Sequence, residues 1–97
     1  MIHKDTKEQQ TPFSLGSICI TPGAQEALSH EDVMTALSRH CRGDWGEVCA
    51  ADREENDLSV REGFRLLSAY QSQAGHKFWV ITEADRSVTT ILLPDEY

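Results

Sequence analysis

Three groups of side chains in this sequence carry residue types that chemistry requires. His40 and Cys41 precede Asp44, which together supply the base, thiol and carboxylate of a hydrolytic set. Asp44, Glu47, Asp52, Glu54, Glu55 and Asp57 crowd one stretch opposed only by Arg53. Glu83, Asp85 and Arg86 stand together between two apolar runs. Spacing decides how much each group can do. Neighbouring side chains on a helix diverge by about 100°, so His40 and Cys41 are poorly placed to share a reacting atom or a metal ion. No CxxC pair exists to extend them into a zinc site. The window 52–63 begins like a calcium loop, with oxygen ligands at alternate positions. It fails where Asp57 stands for the glycine of the sharp turn and Gly63 for the bidentate glutamate. No metal or cofactor is therefore expected, and no catalytic residue is assigned. A minimal hydrolase built on His40/Asp44 or on Glu83/Asp85/Arg86 is the alternative reading.

The charge suggests a different use for the same residues. The chain has 97 residues, 16 acidic and 9 basic, for a net charge of −7. Residues 31–63 hold nine acidic against four basic residues, a net −5, while residues 64–97 are nearly balanced at −1. A nucleic-acid binder displays a clustered basic footprint, so direct binding to DNA or RNA is not expected. An RNA-cleaving surface lacks cations too, since only Arg65, His76, Lys77 and Arg86 follow residue 63. The acidic stretch reads either as a solvated helix face or as a docking surface for a basic protein, including one that competes with DNA phosphates. The expected partner-binding residues are Asp44, Trp45, Asp52, Glu54, Glu55 and Asp57, with Glu83, Asp85 and Arg86 as a second polar patch. Trp45 either anchors a partner from its turn or plugs the core.

The elements that must position these groups follow from local signals. Residues 1–12 are polar and read as a flexible tail; residues 13–97 form one domain. Ile18, Cys19 and Ile20 make a short strand that feeds a helix over 22–28, with Thr21 as N-cap and Pro22 at N1. Ser29 and Asp32 form a capping box for a second helix, carried by Val33, Met34, Leu37 and Cys41 and stopped at Gly43. Residues 43–46 then turn. Asp52 and Glu55 repeat the capping pattern before a third helix, with Leu58 and Val60 as a thin apolar face and Gly63 at its end. From Phe64 three runs rich in β-branched and aromatic residues, joined by short loops at 73–75 and 84–87, predict an antiparallel meander ending at Pro94. The expected class is α+β, with two to three helices packed on one face of the three-stranded meander. Three cysteines, an odd number, and no apolar run of membrane-spanning length predict a cytoplasmic protein with free thiols. Pairing of two copies through a sheet edge is an open alternative for the oligomeric state.

The stretches TPGAQEAL at 21–28, RHCRGDWG at 39–46, RLLSAY at 65–70 and WVITEADRSVTTILLPDEY at 79–97 resemble a family of short bacterial proteins. Its members are encoded on plasmids and integrated mobile elements, and the resemblance spans residues 16–97. They are labelled plasmid-related proteins or type I restriction endonuclease subunit M. A methyltransferase subunit needs a doubly wound domain with a glycine-rich loop, which this chain lacks. The resemblance thus implies genomic neighbourhood of, or association with, a restriction system and supplies no catalytic residue; opposition to restriction is the reading in which the acidic surface mimics DNA charge.

Overall fold

The structure, a computed structural model, describes residues 12–97, so the tail expected at 1–12 lies almost wholly outside the described residues. The chain runs β1 (Ser17–Ile20), α1 (Pro22–Ala27), α2 (His30–Cys41), α3 (Ala50–Glu62), β2 (Leu66–Gln71), β3 (Lys77–Thr82) and β4 (Val88–Leu92), then a 3-10 turn at Pro94–Glu96. The class is α+β, as expected. The sheet, however, has four strands and is mixed. β2, β3 and β4 form the antiparallel meander, and β1 joins it parallel to β4, giving the order β1-β4-β3-β2.

Helix starts and stops follow short-range chemistry. The Thr21 hydroxyl accepts from the Ala24 amide at 3.3 Å, with Pro22 in the first helical position. Ser29 and Asp32 close the reciprocal capping box at 3.0 and 3.1 Å. Gly43, at φ 85°, and Gly63, at φ 82°, take the left-handed backbone that follows α2 and ends α3.

The start of α3 departs from expectation. The helix begins at Ala50 behind Cys49, which makes no side-chain cap, and Asp52 sits in its first turn instead of capping it. The cause lies upstream: Gly46 bridges to Ala69 and Val48 is buried, so the chain is already turned at Cys49 before the Asp52–Glu55 pattern begins. The expected apolar stripe is also displaced. Leu58 is exposed, and the residues that α3 buries are Asn56 and Ser59, with Val60 packed at the margin.

Alternation along the strands sets the two faces. Leu66, Ser68 and Tyr70 align with Thr82, Val80 and Phe78, and these with Thr89 and Ile91. On that face Ala24, Leu28, Ala36, Tyr70, Phe78, Val80 and Ile91 form one core cluster beneath α1 and α2. A second cluster of Phe13, Trp45, Val48 and Leu66 sits towards β2. α3 does not share the face with the other helices; it runs along the outer edge of β2. There the Asn56 amide donates to the Leu67 carbonyl at 2.8 Å and its oxygen accepts from the Leu67 amide at 3.2 Å.

Candidate protein-docking surface

His40 comes first, because the hydrolase reading needs it accessible. Its ring is fully buried, with Phe13 and Trp45 edge-on at centroid distances of 5.3 and 5.6 Å. Nδ1 lies 2.5 Å from the Ser68 hydroxyl and Nε2 lies 2.9 Å from the Thr82 hydroxyl. The direction of the threonine hydrogen bonds follows from one fixed end. Thr89 donates to the Leu15 carbonyl at 2.6 Å, so Thr82 must donate to Thr89, 2.7 Å away. With its proton committed, Thr82 accepts from Nε2–H, and in the neutral ring Nδ1 accepts from Ser68. The network accommodates a neutral imidazole, and burial of the ring favours that form. Burial, aided by the positive charge of Arg86, pushes the His40 pKa down to about 4. Among the described residues no buried side-chain polar atom lacks a partner.

Asp44 does not reach this ring. Its carboxylate takes the Arg39 guanidinium at 2.7 and 3.2 Å and the Gly46 amide at 3.2 Å, and the Arg39 contact holds it below the usual carboxylate range. His40 and Asp44 are thus separate structural groups. Trp45 is 3% exposed, so it is a core residue and not an exposed anchor. Its indole stacks on Phe13 at 6.0 Å and donates to Asp57 at 3.0 Å, an interaction that removes Asp57 from the freely solvated carboxylates.

The Glu83–Asp85–Arg86 group does not converge either. Asp85 accepts from the Ser87 amide and hydroxyl at 3.0 and 2.6 Å, as a turn residue does. Arg86 adopts φ 61° and sends its guanidinium inward, donating to the carbonyls of Phe64 at 2.7 Å, Ser59 at 2.9 Å and Glu83 at 3.2 Å. It also lies 5.6 Å from the Phe13 ring centroid. A cation on the last carbonyls of α3 complements the helix dipole, and so Arg86 fastens the β3–β4 hairpin to that helix.

The remaining expected residues, Asp52, Glu54 and Glu55, are exposed on α3. At 100° per residue they do not share one face. Asp52 and Glu55 flank a shallow notch of about 220 Å³ completed by Asn56, Arg65 and Leu67, and Glu54 does not line it. Arg65, on the far side of the notch, donates to the Tyr97 hydroxyl at 2.6 Å. The ion pair between Arg39 and Asp44 is the sole Lys/Arg–carboxylate bridge among the described residues, so the carboxylates of α3 make no direct ion pair, although Arg65 lines the same notch as Asp52 and Glu55. No group of three or more His, Cys, Asp or Glu side chains among the described residues is placed to hold a metal ion. No helix there is long and apolar enough to cross a membrane.

Residues whose local sequence carries no motif prove structurally central. Asn56 seals a strand edge. Glu96 ties the C-terminal turn to α1, accepting from the Thr21 hydroxyl at 2.5 Å and from the Gly23 and Leu93 amides at 2.9 Å. Ser68, Thr82 and Thr89 were legible as strand residues, but not as partners of a buried histidine. Comparison with protein-family models, curated proteins and solved structures finds no match to this chain.

Proposed function

We propose that this chain is a small acidic interaction protein of a mobile genetic element that acts without catalysis in the cytoplasm. It docks a basic protein partner along α3. The observation that carries this reading is the group Asp52, Glu54 and Glu55, held outward on a helix whose buried residues are Asn56 and Ser59 and making no direct ion pair. Such a field attracts a complementary basic surface and speeds its encounter. The partner class is the DNA-binding surface of a restriction enzyme, where carboxylates would stand in for phosphates. That choice rests on the resemblance to plasmid-borne proteins linked with restriction.

The test is transformation by an unmodified plasmid of cells that carry a type I restriction system and express the protein. The expected result is relief of restriction by the wild-type chain and its loss in the triple variant Asp52→Asn, Glu54→Gln, Glu55→Gln. Unchanged restriction with the wild-type chain, or full relief by the triple variant, would overturn the reading.

A further inference from the structure

The two edges of the sheet are finished differently, and the open one has a definite pairing register. At β2 the outward main-chain groups of Leu67 and Ala69 are engaged. Leu67 is held by Asn56, while the Ala69 amide donates to the Trp45 carbonyl at 3.1 Å and the Ala69 carbonyl accepts from the Glu47 amide at 2.7 Å. At β1 the ladder to β4 uses alternate residues. Ser17 and Thr21 donate to the carbonyls of Ser87 at 2.9 Å and Ile91 at 3.0 Å, so Ser17, Cys19 and Thr21 face inward. Ile18 and Ile20 therefore turn both amides and both carbonyls outward, and among the described residues nothing is bonded to them.

This edge, although short, also lacks a guarding charge. β1 reads SICI without a charge, and residues 13–30 contain Glu26 as their single acidic residue and no Lys or Arg. The net charge of −7 is thus carried elsewhere and does not oppose approach here. Ile18 is 46% exposed. Beside β1 an apolar groove of about 300 Å³ is lined chiefly by Ile20, Leu28 and Val33.

We propose that two copies of this chain pair through their β1 edges, antiparallel about a two-fold axis, to give a continuous eight-stranded sheet. The register is Ile18 opposite the partner's Ile20, with Cys19 opposite the partner's Cys19. It is the register that engages every outward group, making four main-chain hydrogen bonds between Ile18 and Ile20 of the two copies. Shifting it by two residues in one direction brings Pro22, which has no amide, opposite Ile18; in the other it brings Gly16, at φ 65°, opposite Ile20. In the proposed register each Ile18 lies beside the partner's Ile20, at the mouth of the apolar groove. Cys19 occupies the non-hydrogen-bonded position on the axis, where opposed Cα atoms stand ~4.5 Å apart, within the ~4.4–6.8 Å that a disulfide spans.

Sedimentation and thiol crosslinking on the full chain test this. The expected result is a concentration-dependent monomer–dimer equilibrium that Ile18→Lys weakens about tenfold or more by placing cations on the shared edge. Ile18→Pro, which removes one outward amide and leaves the ladder to β4 intact, weakens it as well. Circular dichroism verifies that both variants keep the fold. In the background Cys41→Ser, Cys49→Ser, diamide should take two electrons and two protons from the paired Cys19 thiols and leave an intermolecular disulfide. The Cys49-only chain (Cys19→Ser, Cys41→Ser), whose thiol is also exposed, should crosslink far more slowly. A chain that stays monomeric at millimolar concentration, a dimer indifferent to both Ile18 variants, or equal crosslinking through Cys49 would overturn the proposal.

Discussion

The β2 side of the molecule is braced by polar groups and the β1 side by apolar packing. Around β2, Asn56 closes the strand edge, Trp45 and Asp57 tie a turn to α3, Arg86 fastens a hairpin, and His40 links two strands to a helix. Around β1, Ala24, Leu28, Ile20 and Val33 supply the packing, Glu96 holds Thr21 and Gly23 from the C-terminal turn, and the outer strand edge is left open. A small core gains from buried polar groups only when each is satisfied, since an orphaned one costs more than its bond returned. The braced side is closed to strand addition at Leu67 and Ala69, and in the proposed docking its acidic helix engages a partner by charge. The open side offers main chain and apolar side chains, which suits a neutral strand.

Substitutions can break this contrast, in falling order of effect. Trp45→Ala should strike the braced side hardest, because it empties the cluster around Phe13 and removes the bond to Asp57. Its expected cost is about 3–5 kcal/mol, read from urea denaturation. Acid should act next. The folded protein holds His40 neutral down to about 4, while the unfolded chain takes up its proton near the ordinary 6.5. The unfolded state thus binds more protons in that window, and stability is full above pH ~6.5 and falls by ~3 kcal/mol on the way to pH ~4. A urea series at pH 7.5 and 4.5 measures this, and flat stability between them would show that the ring is not buried neutral. Asp32, Asp44, Asp85 and Glu96, held low by their hydrogen bonds, lose their contributions only at more acid pH.

Asn56→Ala should cost about 2 kcal/mol by orphaning the Leu67 amide and carbonyl, and amide exchange at Leu67 should accelerate. At the low end, Ile18→Lys on the open edge should change monomer stability by less than ~0.5 kcal/mol, because it alters an exposed side chain and no ladder bond. A cost comparable to that of Asn56→Ala would mean that the two edges are not so different.

What the sequence discloses follows the range of the interactions. The boxes at Thr21–Pro22 and Ser29–Asp32, and the glycines at 43 and 63, are readable because each is settled within one turn of helix. The three strands from Leu66 onward are readable from alternation. The parallel docking of β1 against β4 is not, since most of the chain intervenes and a four-residue strand carries no mark of its neighbour. Nor is the start of α3, which depends on the Gly46 bridge to Ala69 and not on the attractive pattern at Asp52–Glu55. In the candidate site, the exposure of Asp52, Glu54 and Glu55 is legible from charge alone. The burial of Trp45 and the inward reach of Arg86 are not, because both depend on partners distant in sequence.

The docking claim concentrates on three carboxylates, and Asp57 is rightly left out of its test because it supports Trp45. The most direct measurement is capture from a lysate of the host, comparing the wild-type chain with Asp52→Asn, Glu54→Gln, Glu55→Gln at low and high salt. The account predicts that a basic, DNA-binding protein is retained by the wild-type chain, released as salt rises, and absent from the triple variant although that variant unfolds at the same urea concentration. Equal retention of that partner by the triple variant, or capture of no specific protein by the wild-type chain, would contradict it.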